Sequence, residues 1–459
     1  MSDSHTERVI VVGAGVAGLS AAYRLTQQGF DVTVLETEDH VGGKTAASRR
    51  DGFTMNTGAS VLAGSYKEML AIAKEIGVDD QVIKVSPTIG VYADNQVYWL
   101  RGAPPGAILD FIRTPLLSAR SKLRIARLGL DSFRHRKAAG FGHPELRAQL
   151  DTESVSDYCE RRLNTEIRDR LLAPLLGGLY VINGAEMSVA DLFFSISKLL
   201  AGGMLGYRGG IDFFSRALAE RLDVRTGAKV TLIEQELDGG PPTVSWMQDG
   251  SEHEEQVAGV VMTVPAPLVP VLYPGLDSEL QAMLLEGIRT SNLIGARFAV
   301  SPAPDTDALV VVVPSGELNG LSSVLYEHNT CPGSAPPGKG VIGAFFYHEW
   351  VSERMDLSDE ELLAEMVPAL ESVIPGFADS IEFSEITRWI PGALRSHPGQ
   401  HRLIAEIDAR IDPHSRVQLA GDYLTIPSIN GSVICGETAA KRLTGAIRTS
   451  DKPVELFNV

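Results

Sequence analysis

Cysteine is scarce in this chain of 459 residues. Cys159, Cys331 and Cys435 are odd in number, far apart and outside any Cys-x-x-Cys spacing. That excludes a disulfide framework and a cysteine-built zinc site as organising devices, and it fits a reducing compartment. No spacing of metal-ligating residues stands out, so no metal is expected. Long apolar runs are also missing, and none is of bilayer-spanning length. The polar start, Met1-Ser-Asp-Ser-His-Thr-Glu-Arg8, has no secretory character, which leaves a cytoplasmic location as the expectation. Positive charge is in deficit. A net charge of −17 argues against a general nucleic-acid binder, which needs a basic face to displace counterions. Internal repeats and low-complexity tracts are absent as well. With 44% hydrophobic and 22% charged residues the composition is that of an ordinary soluble globular protein, and the length exceeds what one core usually covers. Two domains are expected.

Against this plain background one segment carries chemistry. Arg8-Val-Ile-Val-Val12 reads as a buried strand, Gly13-Ala14-Gly15-Val16-Ala17-Gly18 as a glycine turn opening a helix, and Val32-Thr-Val-Leu-Glu36 as a second strand. This is the βαβ unit of a dinucleotide site. Gly13 permits the tight turn, Gly15 lets backbone approach a pyrophosphate, and Gly18 allows close helix–strand packing. The pyrophosphate would meet the free N–H groups and positive dipole end of the helix, and Glu36 would accept hydrogen bonds from ribose hydroxyls.

Elsewhere the pattern is coarser. A helix is expected from Tyr66 to Ile76, a hairpin turning at Asp94-Asn95, mostly helical structure over about 103–203, and a helix from Phe213 to Leu222. Val224 to Ile233 reads as one strand, Val257 to Val264 as another, and Arg416-Val-Gln-Leu-Ala-Gly-Asp422 as a short strand ending in Gly-Asp. A last helix is expected over about 430–447. Nucleotide-type pieces therefore fall in 1–85, 205–265 and 385–459, with 86–204 and 266–384 as insertions forming a second domain. Residues 101–137 depart from the acidic average, with nine Lys/Arg against Asp110 and Asp131 and apolar residues interleaved. A solvated helix pair packed on its own domain is the favoured reading, and contact with an anionic membrane surface or an acidic partner is the alternative.

The glycine fingerprint alone does not separate NAD from FAD. The segment that follows it does: Thr37-Glu-Asp-His-Val-Gly-Gly43-Lys44 and Asp51-Gly-Phe-Thr-Met-Asn-Thr-Gly58-Ala59-Ser60 resemble flavoproteins of the amine oxidase, protoporphyrinogen oxidase and phytoene desaturase superfamily. Gly177-Gly-Leu-Tyr180, Met187-Ser-Val, Thr226-Gly-Ala-Lys-Val230, Thr263-Val-Pro265, Arg388-Trp389 and Ala420-Gly421-Asp422 extend the resemblance over nearly the whole chain. It implies an α/β fold: a Rossmann-like FAD-binding domain, a parallel sheet with helices, plus a mixed α+β substrate domain inserted in the chain. It also implies roles. Gly43 and Lys44 form a turn suited to a phosphate, or else an exposed loop with a solvated lysine. Gly58, Ala59 and Ser60 run beside the isoalloxazine. The backbone of Val230 grips adenine, although its side chain reads equally as core. Gly421-Asp422 is the second flavin-gripping motif, and Ser428 and Ile429 precede a helix whose dipole favours charge on the reduced ring. Trp389 stands near the flavin or is an ordinary buried tryptophan.

Within the superfamily the likeness is nearest to protoporphyrinogen oxidases, through Gly-Leu-Tyr…Met-Ser-Val, Tyr207-Arg-Gly-Gly, Asn430 and Arg388-Trp-Ile-Pro-Gly-Ala-Leu…Pro398-Gly-Gln-His401. Departures occur on the substrate side. Val181-Ile-Asn-Gly replaces an expected Gly-Asp, and Ala393-Leu-Arg-Ser replaces the usual Pro-Gln-Tyr. Arg289 to Phe298 lacks the lysine of amine oxidases, and Ser428 stands where an aromatic partner to Trp389 is usual. The resemblance implies non-covalent FAD, hydride removal from C–H bonds of a largely apolar cyclic small molecule, and electrons passed to oxygen, a quinone or another external acceptor. His397, His401 and Tyr180 are the candidate catalytic residues. A polyene or cyclic-ketone desaturase, an amine oxidase and a flavin-binding chaperone-like protein are the alternatives.

Overall fold

A computed structural model describes residues 7–450 except 86, 102–105, 201–202 and 237–238. The strand Arg8–Val12 lies at the middle of a five-stranded parallel sheet. Asp31–Leu35 and then Asp223–Arg225 extend it on one side, Gly259–Met262 and then Val417–Leu419 on the other. The three inner strands are almost wholly buried, as parallel strands covered on both faces must be. Because the chain leaves the first strand toward one neighbour and later returns on its other side, their carboxyl ends open a crevice at a topological switch point. The helix Val16–Gln27 follows the first strand, and the last helix, Ile429–Ser450, packs across it. Their approach is close: a Cβ on Gly436 would fall 2.2 Å from the Ala17 carbonyl oxygen.

A seven-stranded mixed sheet forms the other large layer, in the order Ile381–Trp389, Leu293–Val300, Gly340–Phe346, Leu321–Tyr326, Ala308–Val312, Thr88–Ala93, Gln96–Leu100. All its pairings are antiparallel except Ala308–Val312 with Thr88–Ala93. The expected hairpin turns at Asp94 and Asn95, both at positive φ (53° and 58°), a conformation that Asp and Asn tolerate best among residues with a Cβ. Ile381–Trp389 belongs to this sheet as a whole, so a boundary at 385 falls inside one strand.

One expectation needs correction. Val224 to Ile233 is two strands, not one: Asp223–Arg225 closes the parallel sheet, and Lys229–Glu234 joins an antiparallel three-stranded sheet with Thr243–Gln248 and Ser251–Gln256. The break is Gly227, whose φ of +65° turns the chain out of the first sheet. The basic segment forms helices Gly106–Arg113 and Ala119–His135, which bury Leu128 and pack Phe111 and Ile125 against the core but leave other apolar residues exposed. Ile108, Leu109, Ile112, Leu123, Leu130 and Phe133 are between 50% and 79% exposed. The pair is anchored on its own domain, with Asp131 held by Tyr158 and Arg162, while part of its apolar surface stays open; Pro104 and Pro105 lie outside the described residues.

Candidate functional site

The glycine loop sits at the carboxyl end of the central strand, where three glycines do different work. Gly13 adopts φ +102°, and a Cβ on it would lie 2.7 Å from Thr263 Oγ1 at the end of the neighbouring strand. A Cβ on Gly18 would be 1.9 Å from the Gly13 carbonyl oxygen, so only glycine closes the turn against the helix. Gly15 is the opposite case. It is extended (φ −71°, ψ 174°) and nothing lies within 4 Å of where its Cβ would be. Gly15 therefore borders open space at the start of a helix that no side chain caps. Backbone N–H groups face a gap that an anionic group fits.

Glu36 holds this loop. Its two carboxylate oxygens accept the N–H groups of Ala14 (2.7 Å) and Glu38 (2.9 Å), each keeping acceptor capacity for a further donor. The carbonyls of Glu36 and Glu38 in turn accept from Ala228 and Gly227, which brings the run leading to Val230 beside the same loop. Val230 itself pairs with Trp246 in the antiparallel sheet.

The segment after Glu36 closes over the glycines. Gly42 and Gly43 take positive φ (105° and 51°), Gly42 N–H donates to the Ala14 carbonyl, and Gly15 and Gly42 form an isolated parallel bridge. Lys44 Nζ lies 2.8 Å from Asp422 Oδ2. The two motifs are thus tied to each other, and Lys44 is paired while its side chain stays 36% exposed. Ala59 N–H donates to the Lys44 carbonyl, and a Cβ on Gly58 would strike that same oxygen at 2.4 Å. Trp389 Nε1 donates to the Thr57 carbonyl (2.9 Å), which aligns the end of the seven-stranded sheet with the 57–60 segment. Ser428 accepts the Gly431 N–H and so caps the final helix, which begins at Ile429. Asn430, fully buried, accepts the Met69 N–H and donates to Glu68, bolting that helix down.

Behind the 57–60 segment lies a network that sequence reasoning missed. Arg297 Nε meets Glu327 Oε1 at 2.6 Å, with the two side chains 3% and 1% exposed. Glu327 also accepts from Asn56 Nδ2 and Ser60 Oγ, Arg297 donates to the Gly58 carbonyl, and Tyr207 OH donates to the Ser60 carbonyl. No local motif marks Arg297 or Glu327. Their only trace in the sequence is a charge inside an otherwise apolar strand and another at the end of one.

Among the described residues no hydrogen bond or ion pair joins the three candidate catalytic residues to the glycine loop. Tyr180 is buried with its hydroxyl on Ser195 Oγ (3.1 Å), and burial raises its pKa. His401 is 1% exposed and donates through Nε2 to Asp191 (3.1 Å), while Ser396 donates to the same carboxylate oxygen. Serine and aspartate share one ring nitrogen, so this cluster is a clasp between chain segments and not a relay that activates a hydroxyl. His397 is half-buried, its Nδ1 donating to the Arg395 carbonyl. A cavity of ≈ 370 Å³ in the helical insertion is lined by acids and arginines already paired with each other, Asp131 with Arg162 and Glu153 with Arg161. Among the described residues no group of His, Cys, Asp and Glu is arranged to hold a metal ion, and no helix is long and apolar enough to cross a membrane.

Comparison with known proteins agrees with this geometry. Residues 16–444 match the family described as flavin containing amine oxidoreductase. Coproporphyrinogen III oxidase of Staphylococcus aureus is 23% identical over 494 aligned positions, covering 95% of this chain and 99% of that protein. A protoporphyrinogen oxidase-like protein from Exiguobacterium sp. 255-15 superposes with a TM-score of 0.72 at 22% identity, over 96% of this chain and 98% of that one. Cyclohexylamine oxidase from Brevibacterium oxydans IH-35A superposes with a TM-score of 0.73 at 16% identity, over 97% and 100%.

Proposed function

The chain belongs to the flavin-containing amine oxidoreductase family, and from that premise we propose that it is an FAD-dependent oxidase that dehydrogenates a porphyrinogen-type cyclic substrate. The observation that carries the substrate class is the end-to-end likeness to coproporphyrinogen III oxidase. The absence of a lysine from Arg289 to Phe298, together with Ser428 where an aromatic partner to Trp389 is usual, weighs against an amine.

FAD fits the crevice. Gly15 and the uncapped helix start suit the pyrophosphate, Glu36 the ribose, the backbone near Val230 the adenine, and Gly58–Ser60 with Trp389 the ring. When bound, flavin accepts a hydride from a substrate C–H bond. The protein's share is orientation: Lys44–Asp422 joins the two cofactor motifs, and Arg297–Glu327 fixes the 57–60 segment beside the ring. Attachment is non-covalent in this reading. Cys435 lies beside the Gly421 backbone, and burial pushes its thiol up to about 12, which suppresses the reactive thiolate.

In this reading the binding layer comprises 1–85, 205–265 and the chain after Trp389, with 86–204 and 266–389 as the substrate-side insertions. Electrons leave to oxygen or a quinone, since no second glycine fingerprint for a nicotinamide cofactor is present. The exposed apolar and basic face of Gly106–Arg113 and Ala119–His135 supports peripheral contact with an anionic lipid surface. Co-sedimentation with phosphatidylglycerol vesicles would test it, and binding no stronger than to phosphatidylcholine would refute it.

The deciding experiment is anaerobic bleaching of the bound flavin by coproporphyrinogen III, protoporphyrinogen, a cyclic ketone, a polyene and a primary amine. Rapid bleaching by a porphyrinogen supports the proposal. Bleaching by ketone or polyene moves the chain to the desaturase branch, and bleaching by none favours a non-catalytic flavin-binding protein.

A further inference from the structure

Two arginines face each other with nothing to neutralise them. Residues 289–293 and 391–395 run antiparallel: Arg395 N–H donates to the Arg289 carbonyl, Ser291 N–H to the Ala393 carbonyl, and Thr290 and Leu394 form the bridge between them. In that register Arg289 and Arg395 are directly opposed and project to the same face. Leu394, on the alternate face, is 3% exposed in the core, so the arginine pair points away from the core. Directly opposed like charges destabilise a strand pair. Yet among the described residues neither guanidinium has an acid or any other side-chain partner, although Arg395 is half-buried.

The surroundings deepen the positive field. His397 donates to the Arg395 carbonyl, and the His348 N–H bonds the Val181 carbonyl at the end of the Gly-Leu-Tyr helix. Burial first, and then the nearby arginines, hold both imidazoles below their usual pKa. Asp151, the acid that His397 feels, is fully buried with its oxygens taken by Ser188 and the Arg402 N–H. This ribbon follows in sequence from Trp389, whose indole donates to the Thr57 carbonyl in the segment that the porphyrinogen reading sets beside the ring. It is also the place where Ala393-Leu-Arg-Ser departs from the family pattern.

We propose that Arg289 and Arg395 form a carboxylate-binding subsite that grips the acidic side chains of the substrate. The proposal rests on the porphyrinogen reading and narrows it to substrates bearing carboxylates on an apolar ring. Paired guanidinium groups recognise carboxylates through charge-assisted, bidentate hydrogen bonds. An anion between them removes the repulsion of the unliganded pair.

The test uses the flavin-loaded protein and coproporphyrin III, followed by fluorescence titration, alongside flavin bleaching by coproporphyrinogen III. Arg395→Gln and Arg289→Gln are each expected to weaken coproporphyrin binding about tenfold, with the kinetic loss falling on KM rather than kcat. Arg395→Lys, which keeps the charge, should recover part of the affinity and serves if the glutamine variant folds poorly. The tetramethyl ester of coproporphyrin should bind wild type no better than it binds the double glutamine variant. Wild-type affinity in the variants, or equal wild-type affinity for acid and ester, overturns the subsite. Failure of coproporphyrinogen to bleach the flavin would instead count against the oxidase reading, and the titration would still decide the subsite.

Discussion

Arg297 and Glu327 meet at 2.6 Å in a site where neither side chain is more than 3% exposed, and together they hold Asn56, Gly58 and Ser60 from behind. A buried charge pair of this kind contributes most through what is lost when one partner goes. Arg297→Met leaves Glu327 as an uncompensated buried charge and is expected to cost about 3–5 kcal/mol in urea denaturation. The double variant Arg297→Met, Glu327→Gln should lose less than the sum of the singles, because the two are coupled. Additive losses would show that the pair acts as two separate residues.

The glycine loop separates cofactor binding from folding. Gly15→Ala places its Cβ in open space at a backbone conformation alanine adopts freely, so the melting temperature of the flavin-free protein should stay close to wild type. Its flavin affinity should drop at least tenfold, because the new methyl occupies the pyrophosphate's approach. Gly18→Ala drives Cβ into the Gly13 carbonyl at 1.9 Å and should destabilise the protein even without flavin, by about 2–4 kcal/mol. Equal effects of the two substitutions on stability would contradict this division of labour.

All three thiols are expected to be unreactive in the native protein at pH 8. Burial raises Cys159 and Cys435 to about 12 and Cys331 to about 11, so the thiolate fraction is negligible at that pH. Mass spectrometry after brief iodoacetamide treatment should find unmodified protein, with full alkylation only in guanidinium chloride. Rapid native labelling of Cys435 would remove the argument against covalent chemistry there.

Acid should destabilise the fold through histidine. Burial lowers the pKa of His328, His348 and His397 below the ordinary value of 6.5, so the unfolded chain binds more protons than the native one as pH falls toward and below 6.5. The stability that the neutral rings contribute is complete above 6.5 and is lost as pH falls through that value toward the lower folded values. His328, mostly buried with Nδ1 on the Val341 carbonyl, should dominate. Thermal melts at pH 7.5 and 5.5 should show a smaller drop for His328→Gln than for wild type, and an unchanged drop would place the effect elsewhere.

Much of this molecule is visible in its sequence wherever function demands a local pattern. The turn from Gly13 to Gly18 is legible because a strand that turns this tightly into a helix needs glycine where a Cβ would clash, and Gly421-Asp422 because it ends a short apolar strand. Arg297 and Glu327 are not legible: they are 30 residues apart and meet only through the pairing of three strands. The two strands within Val224–Ile233 were hidden for a different reason, since β-propensity is the same on either side of Gly227 and only tertiary context assigns each half to its own sheet. The exposed leucines and Phe133 of 101–137 show a third limit, because amphipathic periodicity reveals an apolar face without revealing whether the protein covers it.

The close crossing of Gly436 over Ala17 has a consequence for when the protein is made. The glycine loop is among the first parts of the chain to be synthesised, while the helix that braces it and the strand at the edge of its sheet are among the last. Strand pairing joins residues 260–262 to 417–419, and no local folding can substitute for it. A nascent chain therefore carries an intact glycine fingerprint for most of its synthesis without a finished site behind it, and cofactor capture is an event of the completed polypeptide.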